Sequence, residues 1–222
     1  MNRLSIYLTL FCVLMIGSVE SLSQPIEQNS FMEASDSSGI IVLPIDIDQS
    51  LVEWRGTEMW GRGSHEGILA LSEGNLEIKI DQLVGGFFIA DMNSITVTDI
   101  PKSDPIPRRN LMEHLKSKDF FYVEEYPVAK FEITNIESMM GDSLMIVGYL
   151  SIRDVTKLIS FTAIQIGSQN DEISYEASFE INRFEWNISY QGSYWERITS
   201  IIDNNLVDAE MEIFVKLTAS KK

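Results

Sequence analysis

The chain offers little material for acid–base, nucleophilic or metal chemistry: two histidines and one cysteine among 222 residues. His65 sits in Gly61-Arg62-Gly63-Ser64-His65-Glu66-Gly67, where the glycines permit a bulge or a close backbone approach. Its functional reading is a polar group that meets a ligand head. His114 lies in a different predicted element, so the two imidazoles do not make a metal pair, and no metal site or other cofactor is expected. No G-x-S-x-G motif places a nucleophile, so no catalytic residue is assigned. The enzymatic alternative is a barrel hydrolase or isomerase built on His65 with Glu66 or Asp91. The single cysteine, Cys12, forms neither an intramolecular disulfide nor a cysteine-based zinc site.

Charge is the second chemical feature. Seventeen Lys and Arg stand against 33 Asp and Glu, a formal net charge of -16. That field repels nucleic acid and anionic membrane surfaces, so neither is expected as a partner. The sign reverses locally at Lys102, Arg108, Arg109, Lys116 and Lys118, opposed only by Asp104 and Glu113. Arg108 and Arg109 are the candidates to receive an anionic or strongly polar ligand head. Asp208, Glu210 and Glu212 alternate along one strand and read as a solvated outer face rather than a cation site.

The elements that must position these residues follow from periodicity. Residues 1–23 read as a signal peptide: Arg3, an apolar stretch from Leu4 to Ile16, and Ser21 and Ser23 before a cleavage point. An exported, periplasmic protein with no membrane span after leader removal is the expectation. Residues 24–43 read as a flexible tether, with the runs Gln28-Asn29-Ser30 and Ser35-Asp36-Ser37-Ser38-Gly39. From Pro44 the dominant period is two. Ile173, Tyr175, Ala177, Phe179 and Ile181 alternate with polar residues, and Val207 to Leu217 repeats the pattern. Strands are also predicted at 50–59, 76–81, 86–95, 128–136, 144–152 and 157–166. About eight antiparallel strands suffice for a closed barrel that holds side chains or one ligand. One short amphipathic helix, starting at Pro107 or Asn110 and running to Lys116, interrupts them. Leu144–Ile152 and Phe87-Phe88-Ile89 are apolar on both faces, which predicts burial on both sides, one side toward a cavity and the other toward the helix or a second copy in a homodimer.

Several stretches in order resemble the YceI-like proteins. They are Val52-Glu53-Trp54-Arg55-Gly56, His65-Glu66-Gly67, Gly85-Gly86-Phe87-Phe88-Ile89-Ala90-Asp91, Asp119-Phe120-Phe121 through Tyr126-Pro127, Gly148-Tyr149-Leu150-Ser151-Ile152-Arg153-Asp154-Val155-Thr156-Lys157, and Ile181-Asn182-Arg183. Asp154 departs from the glycine usual there, and the region from Trp186 to Trp195 follows the pattern loosely. The resemblance implies an all-β, eight-stranded antiparallel, lipocalin-like barrel over 44–222, exported, with a long apolar pocket for a polyisoprenoid or other long-chain amphiphile. Trp54, Phe87, Ile89, Phe131, Tyr149, Phe161 and Phe179 are then the candidate pocket residues beside His65, Arg108 and Arg109. A non-catalytic scaffold is the remaining alternative.

Overall fold

A computed structural model describes residues 39–58, 63–169, 172–189 and 207–220. The leader, the tether up to residue 38, Trp60 and Trp195 lie outside the described residues. The longest period-two runs are strands. In β10 (Glu172–Asn182), Ile173, Tyr175, Ala177 and Ile181 are buried while Ser178 and Glu180 are exposed. The other strands are β1 (Ile40–Pro44), β2 (Leu51–Glu58), β3 (Ser64–Leu69), β4 (Leu71–Lys79), β5 (Gln82–Asp91), β6 (Thr96–Val97), β7 (Val128–Ser138), β8 (Ser143–Ile152), β9 (Val155–Gln169) and β11 (Val207–Ser220).

All neighbouring strands pair antiparallel, in the order β1-β4-β5-β7-β8-β9-β10-β11-β2-β3-β6. The strand count of eleven reduces to eight in the barrel wall. β3 and β4 are one bent strand interrupted at Ala70: its first half pairs with β2 and its second half with β5, which closes the circuit. β1 and β6 are short additions. β1 pairs with β4, and Ile45 just beyond it bridges Ala219 of β11. The last four residues read as tether, 40–43, are therefore strand, because Leu43 and Ile45 bury their side chains in the core.

Three further local readings change. The strand read over 76–81 stops at Lys79, and Ile80 and Asp81 form the β4–β5 hairpin turn with φ of 50° and 60°. Ile80 is β-branched and 86% exposed, so its left-handed backbone gains little from packing. Ile80→Asn is expected to stabilise the fold by about 1 kcal/mol, since the left-handed conformation costs an ordinary residue roughly 1–2 kcal/mol. A thermal melt checks it: a lower midpoint than wild type contradicts the prediction. The strand read over 86–95 ends at Asp91, whose carboxylate accepts from the Asn93 N–H (2.9 Å) and opens a 3-10 turn over Met92–Ser94. The helix α1 spans Pro105–Lys116 and begins before the predicted start. Prolines are tolerated in a first turn because those N–H groups have no intrahelical acceptor. Leu115 is its buried residue, and the helix packs mainly against β6.

β8 is consequently not covered on both sides. Ile146, Gly148 and Ile152 are buried inward, whereas Tyr149 is 49% exposed and stands opposite the exposed Leu158 of β9. The β8–β9 turn places its positive φ (53°) on Arg153, not on Asp154, so the departure from glycine at Asp154 costs nothing there.

Candidate functional site

The interior of the barrel is apolar and divided. Four phenylalanines from four strands form one row: Phe88 of β5, Phe131 of β7, Phe161 of β9 and Phe179 of β10. Ring centroids are 5.5 Å apart for Phe88–Phe131, 5.3 Å for Phe131–Phe161 and 4.4 Å for the stacked Phe161–Phe179 pair. β8 lies between β7 and β9, yet the rings of Phe131 and Phe161 meet across it. Gly148 makes this possible: a Cβ there would fall 2.5 Å from the Phe131 ring and from the Glu132 carbonyl.

On one side of the row is a cavity of about 70 Å³, walled by Trp54, Ala90, Phe121, Ala129, Leu150 and Met211 among others. On the other side is a cavity of about 40 Å³, walled by Leu76, Ile146, Ala163, Tyr175, Ala177 and Leu217 among others. Phe88, Phe131 and Val215 border both. Each cavity exists where alanines face one another in register, Ala90 against Ala129 for the larger and Ala163 against Ala177 for the smaller. Small residues opposite small residues leave space that larger partners would close. Burial pushes the Tyr175 hydroxyl up to about 12, so it is neutral at physiological pH and adds no charge to the smaller cavity.

Of the residues nominated from sequence, Trp54, Phe131, Phe161 and Phe179 line this interior. Phe87 and Ile89 do not: they flank Phe88 and Ala90 on the opposite face, and Phe87 lies under the Lys130 ammonium at 5.4 Å. Tyr149 faces outward. Arg108 donates from Nε to the Val97 carbonyl (2.9 Å), which ties α1 to β6, and Arg109 forms an exposed pair with Glu113 (3.7 Å). Neither arginine lines either cavity.

His65 is bonded at Nδ1 to Asp99 (2.8 Å), which also accepts from the Glu66 N–H (3.1 Å). Burial alone would raise Asp99, but the bonds from His65 and Glu66 outweigh it and hold the carboxyl below its usual value. The pair fastens the segment after β6 to β3, beside Gly67, whose missing Cβ admits the Thr96 carbonyl. His65 therefore meets Asp99, not Asp91, and lies outside the cavity walls. Among the described residues no group of three or more His, Cys, Asp or Glu is placed to hold a metal ion.

Two polar clamps hold the structure beside the larger cavity. Arg153 donates from Nη1 to the carbonyls of Phe120 (3.0 Å) and Asn187 (2.5 Å), joining the β8–β9 turn to the segment after α1 and to the segment after β10. Trp186, 1% exposed, donates from its indole to the Leu150 carbonyl (3.2 Å). Leu150, Ile152 and Phe121 of these segments all border the cavity.

Residues 44–219 match the YceI-like domain family. UPF0312 proteins of Photorhabdus laumondii and Azotobacter vinelandii are 38% and 39% identical over 69 residues, 31% of this chain and 35% and 36% of theirs. The match thus spans only about a third of the length of these curated relatives. Among solved structures, Burkholderia cenocepacia BcnA superposes with a TM-score of 0.63 at 18% identity, over 79% of this chain and 99% of that one. A polyisoprenoid binding domain from Saccharophagus degradans, implicated in plant cell wall breakdown, gives 0.57 at 11% identity over 83% and 99%. Both likenesses establish the fold.

Proposed function

Because the chain belongs to the YceI-like domain family, we propose that it is a binding protein that sequesters or carries a polyisoprenoid or other long-chain amphiphile in its apolar interior. The observation that carries the reading is the divided cavity itself: phenylalanine rings and facing alanines line open space in a barrel core that would otherwise be packed solid. The name of the Saccharophagus degradans domain points to the same ligand class. A chain buried there gains about 0.8 kcal/mol per methylene, and the two cavities, about 70 Å³ and 40 Å³, seat a few methylenes as they stand, so a longer chain displaces wall side chains as it enters.

We place the protein in the periplasm or otherwise outside the cytoplasm, from the leader read in its sequence. No helix among the described residues is long and apolar enough to cross a membrane. Binding is favoured over catalysis because His65 is engaged with Asp99 away from the cavity, and the cavity walls are apolar. Native mass spectrometry of the full chain, followed by organic extraction, tests the proposal. A co-purifying isoprenoid or long-chain amphiphile is the expected result. Protein that carries none, and takes up none of a panel of isoprenoid alcohols, overturns it.

A further inference from the structure

The phenylalanine row is built as a wall rather than as general core. Its rings come from four strands at one level of the barrel, and Phe131 at its centre touches both Phe88 and Phe161. Phe131 is 2% exposed, and its ring occupies the place that a side chain on β8 would take if Gly148 had one. It therefore has no slack toward the strand behind it. Space lies instead on the two faces of the row, where the alanine pairs leave the larger and smaller cavities. Large residues between two small layers separate the cavities; uniform packing would leave neither.

We propose that this row sets the length of chain the interior admits: a chain seated in the larger cavity ends against Phe88 and Phe131, and the smaller cavity stays closed to it while the row is intact. The inference rests on the reading of the interior as a site for isoprenoid chains. Phe131 is then a specificity-determining residue. Its truncation joins the two cavities, and each methylene newly buried raises affinity about fourfold.

Titration of the full chain with geraniol, farnesol and geranylgeraniol, each one isoprene unit longer than the last, tests this by calorimetry. Wild-type affinity is expected to stop rising at one point in the series. In Phe131→Ala, and in the milder Phe131→Leu, the break moves at least one isoprene unit longer, with at least a tenfold gain for the first alcohol past the wild-type break. Ala163→Leu, which fills only the smaller cavity, leaves the wild-type series unchanged. If wild-type affinity climbs through the whole series, or if the folded Phe131 variants keep the wild-type break, or if Ala163→Leu weakens binding, the row is core packing and the inference is wrong while the carrier reading stands. If the wild type binds none of the three alcohols, the carrier reading itself fails and the inference falls with it.

Discussion

Ala90→Leu is expected to weaken binding of farnesol about 50-fold while leaving the fold intact. Ala90 is 5% exposed on β5, stands in register with Ala129 of β7, and borders the larger cavity. Leucine at this position adds three carbons to the wall in the space that ligand methylenes would fill. Excluding about three methylenes at roughly 0.8 kcal/mol each removes about 2.4 kcal/mol of binding, or ~50-fold. The same carbons cost the empty protein little, because they enter open space instead of a packed neighbour. Filling a cavity in this way often raises stability. Calorimetric titration gives the affinity and a thermal melt gives the stability. The pairing of the two readouts is what gives the experiment its force: a lower melting point together with weaker binding would mean simple damage. Unchanged affinity with an unchanged melt would place the ligand outside the larger cavity, for instance on the outer face where Tyr149 and Leu158 are exposed.

The register of β5 explains why Ala90 and Phe88 were not nominated from the sequence. Leu83 points inward, and strict alternation from Leu83 would turn Gly85, Phe87 and Ile89 inward as well. The pairing with β4 slips between Leu83 and Gly85, where Ile78 faces the first and Glu77 the second, so Val84 is an extra residue. That bulge reverses the parity, and Phe88 and Ala90 face the core instead. Asp91 carried a usable signal, since a charged residue on the parity of Phe87 and Ile89 marks an outward face. β10 and β11 contain no such slip against one another, and there the alternation is legible except at Ser174, which is buried against the Thr218 hydroxyl. Arg108 and Arg109 were misplaced for a different reason. Local charge reversal identifies a basic surface but not its orientation, and the helix begins at Pro105, which turns Arg108 onto the Val97 carbonyl. The strand count was legible because β3 and β4, split at Ala70, act as one wall element. The short β1, β3 and β6 were not, because two to six residues carry too little periodicity to separate strand from loop.

Arg183→Met is expected to destabilise the protein by about 3 kcal/mol. Arg183 opens the 3-10 turn after β10, is 1% exposed, and donates from Nε to the Asp208 carbonyl (3.1 Å) and from Nη1 to the Ile188 carbonyl (2.9 Å). Its guanidinium lies 4.1 Å from the Phe184 ring centroid. Burial lowers its pKa and the Asp208 carboxylate opposes that shift, so the group remains a cation in a site that tolerates it only because donors and acceptors match. Methionine keeps much of the volume but removes the donors; the buried Ile188 carbonyl and the part-buried Asp208 carbonyl lose their partner, and an unsatisfied buried group costs about 1–3 kcal/mol. In a domain of this size each kcal/mol shifts the melting midpoint by roughly 2–4 °C, so a fall of about 6–12 °C is the expected reading. Removing a buried charge is itself favourable, and a variant that melts with the wild type would show that this gain offsets the lost bonds. The location gives the number a functional edge. Arg183 holds the segment whose Trp186 supports Leu150 and whose Asn187 is held by Arg153, all beside the larger cavity. Hydrogen exchange in residues 183–188 should therefore quicken in the variant before global unfolding does, and isoprenoid release should quicken with it. Faster exchange with unchanged release would separate this clamp from the ligand's exit.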